Sequence, residues 1–99
     1  MEYTNKIRQW AIDRNLHTQD SKKQALKLME EVGELAQGLA KGRQEQVVDS
    51  IGDIYVVLVI LVMQEGLTIE DCIEAAYIEI KDRKGKIIDG VYVKEEDIR

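Results

Sequence analysis

Ninety-nine residues without a proline, 44% of them apolar and 33% charged, describe one domain of long uninterrupted elements and exclude wholesale disorder or a Pro-rich linker. A formal net charge of −5 argues against a nucleic-acid polymer or an anionic membrane as partner, since both demand a basic face. The lone Cys72 has no internal disulfide partner and Met1 is not followed by a basic-then-apolar leader, so the expected setting is reducing and cytoplasmic.

Thr4 to Leu16 places Ile7, Trp10, Ala11 and Arg14 at helical spacing, which predicts a first helix over about 4–16 with Thr4 as its N-cap. A polar connector follows at His17–Asp20. Ser21-Lys22-Lys23-Gln24 then reads as a capping box opening a second helix over about 21–41. Ala25, Leu28, Met29, Val32, Leu35, Ala36 and Leu39 form one stripe on it, roughly 120° wide, and Gly38 and Gly42 signal its end. The third segment, about 44–65, opens with Val47, Val48, Ile51 and Ile54 at helical spacing and continues as an unbroken apolar run from Ile54 to Met63. Its β-branched content would suit a buried strand, but the length and the spacing of the lead-in favour a helix. Ten apolar residues in a row are too few for a membrane span. A helix apolar all round must be covered on every side, which puts part of this one in an interface between copies. A chain this short also gains from self-association, because its own core is small. Gly66 ends the third helix, and Thr68 caps a fourth over about 68–84 with Ile69, Cys72, Ile73, Ala76 and Ile80 as its core face and Gly85 as its C′ glycine. Lys86–Val93 has Asp89-Gly90 between short apolar runs, a tight hairpin, and Lys94–Arg99 reads as a loose charged tail. The predicted class is all-α, an antiparallel four-helix bundle that oligomerises, with a C-terminal hairpin or extended tail.

Chemistry concentrates in two acidic clusters. Glu30-Glu31-Val32-Gly33-Glu34 puts Glu31 and Glu34 one turn apart on helix 2, and Glu31 projects about 100° from the centre of the apolar stripe, at its boundary. Asp49 and Asp53 share a face of helix 3, in line with Val57 and Ile60, so Asp53 stands at the mouth of a core. Gly52, costly inside a helix, suggests that a backbone or ligand approaches there. Each cluster alone also suits a solvated face or a salt bridge. Facing each other, they make an oxygen nest that repels itself unless a hard dication sits in it, Mg2+ best and Mn2+ next. Zinc lacks ligands, because His17 reads as a solvated helix end and Cys72 as a small core residue.

Glu30-Glu31-Val32-Gly33-Glu34, then Ile51-Gly52-Asp53-Ile54, with Ala76-Tyr77 and Lys81-Asp82-Arg83-Lys84-Gly85 behind, resembles the MazG-type all-α nucleoside triphosphate pyrophosphohydrolases, in particular short phage and prophage versions. The likeness covers about Trp10 to Asp97. It implies a homodimer or homotetramer, Mg2+ held by Glu31, Glu34 and Asp53, and hydrolysis of an NTP or dNTP to the monophosphate and pyrophosphate. Two positions depart from the family pattern. Ser50 stands where a glutamate is usual, so Asp49 becomes the candidate fourth ligand, and Ile78 stands where relatives carry asparagine. In that scheme Glu30 or Glu34 accepts the proton of the attacking water, Lys81, Arg83 and Lys84 meet the phosphates, and Trp10 and Tyr55 stack on the base. The rival readings are a non-catalytic helical oligomer and a degenerate relative that binds nucleotides without hydrolysing them.

Overall fold

The computed structural model describes residues 2–98 and falls into two compact units, Met1–Ile69 and Glu70–Arg99. The chain is mostly helical, with four α-helices and a short two-stranded antiparallel hairpin near its C-terminus.

The first unit holds α1 (Glu2–Asp13), a 3-10 turn at Leu16–Thr18, α2 (Ser21–Ala40) and α3 (Gln44–Gln64). Three contacts fix the α2/α3 pairing as antiparallel. Ser21 Oγ donates to Glu65 Oε2 (2.6 Å), Gln24 Nε2 to the Val57 carbonyl (3.3 Å), and Gly38 lies beside Gln46 and Val47. Both helices end as their glycines foretell. Gly42 and Gly66 take positive φ, and the next residues, Arg43 and Leu67, donate back to the Gly38 and Val62 carbonyls, closing each last turn.

The starts differ from expectation. Thr4 is not a cap: α1 begins at Glu2, and Thr4 is buried inside it, sharing a 2.7 Å hydrogen bond with the Tyr55 hydroxyl that ties α1 to α3. The side chain of Asp20, not Ser21, caps α2 by accepting from the Lys22 amide (2.9 Å), which frees Ser21 for Glu65. His17 lies in the 3-10 turn and is half-buried, not solvated, with a buried Nδ1 that has no partner.

The core of this unit is formed by Val57, Val59, Ile60 and Val62 in the C-terminal half of α3, together with Ala11 and Ile69. Each such aliphatic side chain contributes about 1.5–3 kcal/mol when fully buried. The α2 stripe splits. Leu28 and Leu35 are partly covered, whereas Met29, Val32 and Leu39 stay exposed. By length and composition α3 is apolar enough to cross a membrane, and only a third of its most apolar stretch is buried. Counting the unbroken apolar run alone missed this, because the amphipathic lead-in adds length to the same helix.

The second unit carries nearly all of α4 (Ile69–Ile80), then β1 (Gly85–Ile88), β2 (Val91–Lys94) and a 3-10 turn at Glu95–Asp97. The fourth helix stops four residues before its expected end. Gly85 is therefore no helix cap. It pairs with Lys94 in the hairpin, where a Cβ would collide with the Val93 carbonyl oxygen and meet the Tyr92 ring at 2.8 Å. Asp89 and Gly90, at φ 51° and 80°, make the tight turn that the Asp-Gly pair announced. Of the tail expected to be loose, Lys94–Asp97 is ordered as strand end and 3-10 turn, and Arg99 lies outside the described residues. Of the expected α4 core face, Ile73 and Ile80 are about half exposed, Ala76 is exposed and Cys72 is intermediate.

Candidate active site

The heptad-like face of α2 turned to α3 runs Gln24, Leu28, Glu31, Leu35 and Gly38, so a glutamate sits in the middle of a helix–helix seam. Glu31 is 6% exposed, the one buried carboxylate among the described residues. Its two oxygens have different surroundings. Lys27 Nζ, one turn back on α2, stands 3.4 Å from Oε1, whereas Oε2 is buried with no hydrogen-bond partner. Lys27 also reaches Glu30 Oε2 at 3.7 Å. A hydrogen bond to Glu31 and then the charges of Glu31, Glu30 and Glu34 hold the Lys27 ammonium above its ordinary pKa.

Across the seam stands Asp53. Desolvation first, then the negative charges of Glu31 and Asp49, push its carboxyl above the ordinary aspartate value, while Lys27 pulls the other way. On its other side Asp53 lines an open cleft of about 490 Å³ with Tyr3, Lys6, Ile7, Trp10 and Val56. Arg14 stacks on Trp10 with its guanidinium 4.3 Å from the ring centroid, and Lys6 lies 5.3 Å from the Tyr3 centroid and 3.3 Å from Glu2. The cleft is thus aromatic and aliphatic, with a cation and a carboxylate on its rim.

Glu31 and Asp53 converge; the other expected ligands do not join them. Glu34 and Glu30 are exposed and line a shallow groove with Gly33 and Gln37, and Asp49 lines another with Gln44, Glu45 and Val48. Among the described residues no three carboxylate, imidazole or thiol groups come close enough to hold a metal ion between them. Ser50 is buried. The two acids nevertheless suit Mg2+, which commonly takes one or two carboxylates and fills its remaining positions with water and phosphate. The unpartnered Glu31 Oε2 is the atom such an ion would satisfy.

The remaining candidates disperse. Trp10 faces the cleft beside Asp53; Tyr55 does not line it and spends its hydroxyl on Thr4. Lys81, Arg83 and Lys84 belong to the second unit. There Arg83 pairs with Glu79 at 3.2 Å, and Arg83 and Lys84 line a groove with Glu79, Asp82, Lys94, Glu95 and Glu96, a mixed-charge setting. Three participants were missed: Lys27, Lys6 and Tyr3. The Lys27/Glu30 and Lys27/Glu31 spacings of three and four were the available signal for the first. Nothing local marked the other two, because their relevance depends on where α1 crosses α3.

Residues 2–77 match the phosphoribosyl-ATP pyrophosphohydrolase family. A curated relative, the uncharacterized 18.2 kDa protein in the rep-hol intergenic region of Haemophilus phage HP1 (strain HP1c1), is 57% identical over 63 residues. That match takes in 62% of this chain and 38% of the relative, so the chain corresponds to well under half of that protein. No solved structure matches the chain.

Proposed function

The chain belongs to the phosphoribosyl-ATP pyrophosphohydrolase family, a relative of the MazG-type enzymes, and from that premise we propose that it hydrolyses a nucleoside triphosphate, or an N-substituted ATP such as phosphoribosyl-ATP, to the monophosphate form and pyrophosphate. The observation that carries the reading is the position of Asp53, which has on one side a buried glutamate with one unpartnered oxygen and on the other an aromatic cleft. A nucleotide has the matching parts, a flat apolar base and a polyanionic tail.

In this reading the base enters the cleft against Trp10, Ile7 and Val56, with Lys6 at the rim for a polar edge or a phosphate. Glu31 and Asp53 hold Mg2+, which when bound neutralises phosphate charge and orients the phosphates for in-line attack. Asp53 joins base and phosphate subsites, so it sets how far apart they lie. Glu34 or Glu30, exposed on the adjoining turn of α2, accepts the proton of the water that attacks the α-phosphorus as the α–β bridging oxygen departs with pyrophosphate.

The test is a panel of canonical and modified NTPs and dNTPs plus phosphoribosyl-ATP, with Mg2+ and then Mn2+, reading monophosphate and pyrophosphate directly. Release is expected from at least one substrate, falling to background in Glu31→Gln and Asp53→Asn and by about 10²–10⁴-fold in Glu34→Gln if it is the base. Full turnover in the Glu31 and Asp53 variants would sink the site assignment. A melting point raised by nucleotide and Mg2+ with no pyrophosphate released marks the non-hydrolysing relative instead.

A further inference from the structure

The Lys27–Glu31 pair is oddly placed for a stabilising device. A lysine one turn N-terminal to its glutamate is the weaker order for such a pair on a helix, and an ion pair with an exposed lysine contributes little to stability. A cation beside a would-be cation site also opposes the arriving ion. The pair does, however, divide the two oxygens of one carboxylate: Oε1 is taken by Lys27 Nζ at 3.4 Å, and Oε2 is left bare in the seam. A glutamate has three side-chain torsions, and a buried carboxylate with both oxygens free would turn either of them, or neither, toward Asp53.

We propose that Lys27 is a positioning residue for the divalent-cation site, clamping Glu31 through Oε1 so that Oε2 is presented to the ion. The inference rests on the two-carboxylate reading above and assigns a role to a side chain outside the ligand set. Lys27 is also held by Glu30 at 3.7 Å, so the ammonium stays on this side of α2 and the clamp is itself anchored. Partners of this kind, which orient a ligand without touching the metal, typically account for about 10–100-fold in affinity.

Charge and positioning make opposite forecasts, and that separates them. If Lys27 acted only through its charge, removing it would tighten metal binding; if it positions Glu31, removing it weakens binding. The experiment titrates Mn2+ alone into the full chain by calorimetry, with the free ion followed by electron paramagnetic resonance, for the unaltered protein, Lys27→Met, Lys27→Arg and Glu31→Gln. Circular dichroism melts accompany each variant. Lys27→Met is expected to keep its helical content and lose about 10–100-fold in Mn2+ affinity, and Lys27→Arg to recover most of it. Affinity in Lys27→Met equal to or above that of the unaltered chain, or no recovery in Lys27→Arg, overturns the proposal. An unaltered chain that binds Mn2+ no better than Glu31→Gln removes the two-carboxylate site itself, a distinguishable result.

Discussion

Asp53 shows what an acid placed among other acids costs the fold. The Asp53 carboxyl is held above its ordinary value, chiefly by desolvation and by Glu31 and Asp49, so the folded chain keeps a proton there that the unfolded chain releases at lower pH. Stability therefore declines as pH climbs from the ordinary aspartate value through the raised one, and the deficit is complete above it. Asp53→Asn, which cannot ionise, is expected to melt higher than the unaltered protein near neutral pH in chelator. The gain should shrink as pH falls below about 4, where aspartate carries its proton in both states. Thermal melts across pH 3–8 check this, and an advantage that persists unchanged at pH 3 refutes the electrostatic origin. Both aspartates and all three glutamates were recognisable as candidates from spacings of three and four residues. Which of them meet was not, because that depends on the register between α2 and α3, set by packing around Gly38 and Gln46 and by no local signal.

On the scale of the elements, the sequence located the helices well and misjudged their faces. Apolar content centred the α2 stripe on residues such as Met29, Val32 and Leu39, yet the face that meets α3 is rotated onto Leu28, Glu31, Leu35 and Gly38. Hydrophobicity reports everything a helix will cover, including cover from outside its own chain, so it does not single out the intramolecular seam. The glycines make the same point. Gly52 was expected to mark a close approach, but a Cβ there meets nothing within 4 Å, whereas one at Gly38 would lie 3.2 Å from Gln46 Cγ and 3.3 Å from Val47 Cγ2. Gly52→Ala is accordingly expected to stabilise the isolated chain by about 0.5–1 kcal/mol, the helix preference of alanine over glycine. Gly38→Leu should destabilise it by about 1–3 kcal/mol through overpacking of the α2/α3 crossing. Urea unfolding of both variants decides the matter. A destabilising Gly52→Ala would mean that something does press on that surface.

For the whole molecule, the governing fact is apolar surface that one chain does not cover. In the first unit, Leu26 and Met29 on α2 are 69% and 66% exposed, and Val48 and Ile51 on α3 are more than half exposed. Large apolar side chains left open on α2 and α3 are of the kind that an interaction face covers. The occupant expected here is a second copy. Of the alternatives, a membrane is disfavoured by the carboxylates Asp49 and Asp53 on the same α3 whose length and apolarity would otherwise permit a span, since each is costly in hydrocarbon. An acidic chain also gains nothing from anionic lipid. Sedimentation equilibrium is expected to give at least twice the chain mass, and the Leu26→Lys, Met29→Lys double variant should sediment as a monomer. Because both positions are open in the single chain, lysine there leaves the Leu28 and Leu35 side of α2 untouched, so helical content should persist while association is lost. If the unaltered chain is instead monomeric and pellets with neutral lipid vesicles, α3 takes its cover from lipid, and a self-associating nucleotide hydrolase is the wrong assembly for this sequence.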